Sequence, residues 1–261
     1  MPHPHNQISS QRFDDDPLVA LEIERPVPCY FMVADILGFS ELIGNLNSNE
    51  QFKRITDWIE LVQDVRRLTD IRDIRLISDT LLVREEDSHS GLTQMLKFAQ
   101  QLLERGIENS FPLRGAIVHG EAAWGELTYG DAVLNAYELE RSLDWLGIAC
   151  SPNLPRLESM WDWNLVTVYP VARKTGPTQL VPAISWKVPA SDELIPKVTG
   201  NGLIAEGDPI TWEIVSKVER TIQFGMYLKK GKTDRLEPGK YRYWFPMHCI
   251  EDFQESLNDY S

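Results

Sequence analysis

At 261 residues and 43% hydrophobic, the chain can bury a sizeable core as one large domain or as one domain with an appendage. A formal net charge of -13 argues against DNA or RNA as a partner along the surface, while a small anionic substrate carried in with divalent metal stays compatible. Cys29, Cys150 and Cys249 are odd in number and far apart, which suggests neither a disulfide framework nor a metal knuckle; with no apolar run near the roughly 18 residues of a membrane span, a cytoplasmic protein with no membrane partner is expected.

Residues 1–27 carry Pro2, Pro4, Pro17 and Pro26, scattered polar residues and the acidic run Asp14 to Asp16, and read as a flexible N-terminal tail. His3 and His5 stand beside prolines there and read as solvated side chains rather than ligands. The apolar stretch Tyr30 to Ser40, Y-F-M-V-A-D-I-L-G-F-S, follows as a strand buried on both faces, turning through Gly38. Asp35 is its exception, a carboxylate in an otherwise apolar run.

Ser48 with Gln51 fits a capping box, and Phe52, Ile55, Ile59, Val62 and Val65 recur at helical spacing, which predicts an amphipathic helix with that stripe in the core. Asp73 to Val83 reads as a tight hairpin around Ser78-Asp79, with Arg75, Ile77 and Asp79 on one face. A second helix is predicted over 91–110, a strand over Leu113 to His119, a glycine-rich turn segment over 120–130 and a helix over 131–143, with Val133, Ala136, Tyr137, Leu139 and Glu140 at helical spacing. Ile148 to Cys150, Leu165 to Val171 and Leu180 to Trp186 supply further strands. Helical spacing returns in Trp212, Ile214, Val215, Val218 and Ile222; Lys229 to Lys232 read as a solvated basic loop and Tyr241 to Phe245 as an aromatic patch. The alternation predicts an α+β fold, a mainly antiparallel sheet with helices on one face. The domains are the tail 1–27, a core 28–190 and a C-terminal extension 191–261.

Taken together, Ala34-Asp35-Ile36-Leu37-Gly38-Phe39-Ser40, Ile74 to Asp79, Arg114 to Gly120 with Gly125, and Gly130-Asp131-Ala132-Val133 resemble, in order and spacing, the motifs of class III nucleotide cyclases. The resemblance implies the ferredoxin-like cyclase fold over residues 28–190 and two Mg²⁺ or Mn²⁺ ions per site, held by Asp35, Asp79 and the backbone carbonyl of Ile36. Hard oxygen donors suit those ions. It also implies a phosphate seat at the amides of Gly38, Phe39 and Ser40, and a homodimer whose composite sites take Asp35 and Asp79 from one subunit and Arg75 with the Gly130 helix from the other.

The departures bear on substrate. Where purine cyclases carry a base-reading lysine this chain has Arg75; where they carry its partner it has Leu127; a serine, Ser78, stands before Asp79. The family asparagine and arginine fall on Leu134 and Glu138, with Asn135 and Arg141 close by, and Arg141 is the candidate replacement for the missing cation. His119 is not at the family histidine, which aligns with Val118, and reads as structural. A pocket without its purine pair but with both metal carboxylates resembles the stand-alone pyrimidine cyclases of Pycsar antiphage systems, whose cyclic nucleotide acts on a separate effector. Arg75 only donates hydrogen bonds, so it suits O4 of uracil, and UTP is expected over CTP. Cytidylate cyclase, adenylate cyclase, and a degenerate nucleotide-binding or dimerising module remain the alternatives.

Overall fold

The computed structural model describes residues 24–44, 46–159, 164–176, 178–199 and 212–231. Its central strand, β1 (Val27–Ile36), is the apolar run around Asp35, buried continuously from Cys29 to Ala34. Period-two alternation sends Tyr30, Met32, Ala34 and Ile36 into one core and Cys29, Phe31 and Val33 into another.

The other strands are β2 (Asp73–Ile77), β3 (Thr80–Glu86), β4 (Leu113–Trp124), β5 (Thr128–Tyr129), β6 (Gly147–Cys150), β7 (Val166–Val171) and β8 (Gln179–Ile184). They lie in the order β2-β3-β1-β4-β6-β8-β7, with β5 paired to β4. All pairings are antiparallel except β4 with β6. That parallel step requires a crossover, supplied by the helix that follows β5. The architecture is thus the expected α+β arrangement around a mostly antiparallel sheet.

The helices are α1 (Phe39–Gly44), α2 (Ser48–Thr69), α3 (His89–Glu108), α4 (Asp131–Ser142), α5 (Ser191–Thr199) and α6 (Trp212–Gly231). α2 and α3 cover the even-numbered face of β1, α3 through Leu92, Met95, Leu96, Ala99, Leu102 and Leu103. α4 crosses the opposite face, so helices cover both faces of the sheet rather than the one expected: Ala132, Val133 and Ala136 pack there on Phe31, Val33, Leu82 and Val118. Asp35 belongs to that second face.

Two local expectations for α2 are corrected. The capping box sits one residue early: Asn47 accepts from the amides of Asn49 and Glu50, and Glu50 accepts from the Asn47 amide at 3.0 Å. Gln51 is instead spent on the carbonyls of Ile43 and Leu46, at 2.9 and 3.0 Å. The core stripe is only partly as expected: Val62 and Val65 lie in it, but Phe52, Ile55 and Ile59 do not. Trp58, Leu61, Val62, Val65 and Thr69 are buried, whereas Phe52 is 74% exposed and Ile55 and Ile59 face solvent. At ~100° per residue, the exposed three lie about a quarter-turn round the helix from the buried line.

Within the extension, α6 docks on the sheet. Val218 and Phe224 join the main core, and Phe224 lies edge-on to Trp145 and Tyr169 with ring centroids 4.8 Å away in both cases. The Thr221 hydroxyl accepts from the Leu146 amide at 3.0 Å, and Arg220 and Lys217 both pair with Asp144. Because α6 runs to Gly231, Lys229 and Lys230 are helical rather than in a loop. His3, His5, Asp14 to Asp16, Lys232, Tyr241 to Phe245 and Cys249 lie outside the described residues. Cys29 and Cys150 are buried free thiols, and no described helix is long and apolar enough to cross a membrane.

Candidate active site

β1 and the β2–β3 hairpin bring Asp35 and Asp79 together. Asp35 is the penultimate residue of β1, half-buried, and its Oδ1 accepts from the Thr80 hydroxyl at 3.2 Å. Asp79 sits at the hairpin tip, close enough to share a side-chain hydrogen bond with Asp35 and to repel its charge. Ser78, before it, adopts a left-handed φ of 59°, a conformation that costs a serine more than the glycine usual at such turns. Burial first, then the Asp79 charge, then Glu140, push the Asp35 carboxyl from 3.8 up to about 6; the Thr80 hydrogen bond pulls the other way.

These residues fit a hard divalent cation. Asp35 is crowded by negative charge from Asp79 and Glu140. The Leu37 amide donates to the Pro112 carbonyl of the β4 side at 2.8 Å. Alternation then directs the Ile36 carbonyl to the other edge of β1, beyond its last pairing with β3 at Ala34 and Leu81, toward the hairpin of Asp79. Among the described residues, no group of three or more His, Cys, Asp or Glu side chains forms a metal cluster. An ion here would take the two carboxylates, the Ile36 carbonyl and oxygens of a substrate, the pattern usual for Mg²⁺ with phosphates.

Sequence reasoning missed Arg114 and Glu140 as a unit. Arg114 stands directly across the strand pair from Asp35. Its Nε donates to Glu140 Oε1 at 2.5 Å, Nη2 reaches the same oxygen, and Nη1 donates to the Leu143 carbonyl at 3.5 Å. Arg114 is 6% and Glu140 4% exposed. A signal existed: Glu140 falls on the apolar stripe of α4, four residues after Ala136, where a carboxylate is tolerated only with a partner.

The remaining candidates are placed as follows. Arg75 Nη1 donates to the Thr128 hydroxyl, Nη2 donates to the Gly125 carbonyl at 2.6 Å, and the guanidinium lies 4.9 Å from the Trp124 ring centroid. The β4–β5 hairpin therefore holds it. Leu127 in the same hairpin is 51% exposed, and Leu134 on α4 is 67% exposed. Arg141 is on the exposed side of α4, with its guanidinium 5.9 Å from the Tyr137 ring. Gly38 has φ 74°, which lets the chain leave β1 and start α1 at Phe39 and Ser40 within two residues. His119 lies toward the other end of β1, opposite Tyr30, with its Nε2 3.1 Å from Asp87.

No protein-family model and no curated protein matches the chain. Solved structures to which it is similar are nucleotide cyclases. The adenylyl cyclase CyaB from P. aeruginosa shares 14% identity at a TM-score of 0.46, over 63% of this chain and 96% of that one. The guanylate cyclase domain of RhGC from Catenaria anguillulae, in complex with GTP, shares 14% at 0.48, over 62% and 98%. The guanylyl cyclase domain of the RhoGC fusion protein from Blastocladiella emersonii shares 16% at 0.44, over 50% and 84%.

Proposed function

We propose that this protein is a pyrimidine nucleotide cyclase that converts UTP to 3',5'-cyclic UMP and pyrophosphate. The observation that carries the reading is the convergence of Asp35 and Asp79, half-buried and mutually repelling. Bound Mg²⁺ or Mn²⁺, two ions per site, would make the ribose 3'-hydroxyl more acidic and neutralise charge on the phosphates. Asp35, Asp79 and the Ile36 carbonyl hold that platform. The amides of Gly38, Phe39 and Ser40 at the start of α1 face the β- and γ-phosphates.

Base selection falls to Arg75. Two of its donor groups are committed to the β4–β5 hairpin, which fixes its orientation against Trp124, and its remaining donors match a base acceptor such as O4 of uracil. The site is shared between two copies of the chain: Asp35 and Asp79 come from one, Arg75 and α4 from the other. Exposed Leu127 and Leu134, on the elements given to the partner's half-site, supply apolar surface for that contact. Arg141 is the cation available on α4 for the developing charge. The product is read as a cytoplasmic second messenger for a separate effector in antiphage defence.

Incubating the protein with each nucleoside triphosphate and Mn²⁺, and resolving products by chromatography and mass spectrometry, tests the reading. Cyclic UMP is expected. Cyclic CMP as main product would move the base assignment to cytosine, and cyclic AMP would overturn the pyrimidine assignment. No cyclic product from any nucleotide would overturn the cyclase and leave a nucleotide-binding or dimerising module.

A further inference from the structure

Arg114 is poised to do something it does not do. Side chains directly opposite on antiparallel strands have Cβ atoms only about 4.5–5.5 Å apart, so an extended arginine on β4 can reach the carboxylate of Asp35 on β1. The guanidinium is turned away instead. It bonds Glu140 through Nε and Nη2 and the Leu143 carbonyl through Nη1, in a pocket where both side chains are buried. Lys174 and Lys217 also lie within electrostatic reach of this group, so positive charge is gathered around the Arg114–Glu140 pair.

We propose that Glu140 is a positioning residue that parks the Arg114 guanidinium away from Asp35, and so keeps that carboxylate open to a divalent cation. The inference rests on the metal reading of Asp35 and Asp79. A buried guanidinium without an anion is strongly disfavoured. With the Glu140 charge removed, the carboxylate across the strand pair is Asp35, and an arginine on it would be an internal cation competing with the metal. A brace that merely holds α4 to the sheet makes the opposite forecast, since removing its second half cannot repair the loss of the first.

The test is Mn²⁺ binding to the full chain without nucleotide, titrated by electron paramagnetic resonance at neutral pH. Glu140→Gln is expected to weaken binding by about 10- to 100-fold, the range for residues that orient metal ligands. Adding Arg114→Met to Glu140→Gln is expected to bring binding back to about the wild-type level, because the competing cation is gone. Should the single variant melt early, the double variant, uncharged at both positions, still carries the test: it must bind Mn²⁺, and Asp35→Asn in that background must abolish the binding. Wild-type binding through Asp35 with a double variant that stays weak overturns the parking role alone. Wild-type Mn²⁺ binding indifferent to Asp35→Asn would overturn the metal reading beneath it.

Discussion

Keeping Asp35 ionised is expensive for the metal-free protein. Its carboxyl titrates near 3.8 when unfolded and at about 6 when folded, because burial and the Asp79 charge both disfavour the anion. A folded value raised above the unfolded one means that the native state holds the proton more tightly. The contribution of this group to stability is therefore fully present below about pH 4 and is lost as pH rises through about 6. At neutral pH the loss is on the order of 1–3 kcal/mol. Asp35→Asn, with the charge gone, should accordingly melt at a higher temperature than wild type in EDTA at neutral pH, and the two melting curves should converge near pH 4. Added Mn²⁺ should raise the melting temperature of wild type and leave that of Asp35→Asn unchanged. Thermal melts across pH with EDTA or Mn²⁺ check all three. A more stable wild type in EDTA would mean that Asp35 is a structural carboxylate.

At the scale of elements, packing rather than periodicity decides what a residue contributes. Phe224 of α6 is fully buried against Trp145 and Tyr169. Phe224→Ala should cost about 3–5 kcal/mol, whereas Phe52→Ser on α2 should change stability by no more than about 0.5 kcal/mol. Urea denaturation of both variants measures the contrast, and comparable losses would mean that the Phe52 face is covered. The same contrast explains what was legible in the sequence. β1 and α3 were, because a continuous apolar run and a helical stripe record burial directly; the hairpin was legible from its turn instead. The Phe52, Ile55 and Ile59 stripe misled because helical spacing gives a direction around the helix axis, not the identity of what lies there. Asp35 stood out as a carboxylate in an apolar run, whereas Asp79, an ordinary turn aspartate by itself, became a candidate only through the motif resemblance. The Arg114–Glu140 pair did not stand out, because its partners lie 26 residues apart and only the crossover from β4 through α4 to β6 brings them together.

The whole molecule, if it works as a shared-site dimer, divides its labour between two copies. The carboxylates of Asp35 and Asp79 sit at the end of β1 and the tip of the β2–β3 hairpin, while Arg75 is clamped to the β4–β5 hairpin through Gly125 and Thr128, against Trp124. A shared-site dimer needs both groups intact at each interface, but not in the same chain. Asp35→Ala and Arg75→Ala should each be inactive alone, yet mixing them with subunit exchange should restore product. Random pairing of equal amounts makes about half the dimers mixed, and each mixed dimer has one site with both defects and one with neither, so recovery should approach about a quarter of the wild-type rate. Single-chain sites predict no recovery at any mixing ratio. A rate assay on mixtures, with exchange verified by differently tagged chains, separates the two. Recovery well above a quarter would instead mean that one of the substitutions leaves its own homodimer partly active. With a net charge of -13 carried by each copy, the approach of two chains is also opposed at long range, so the dimer and its activity should gain from moderate salt that screens this repulsion.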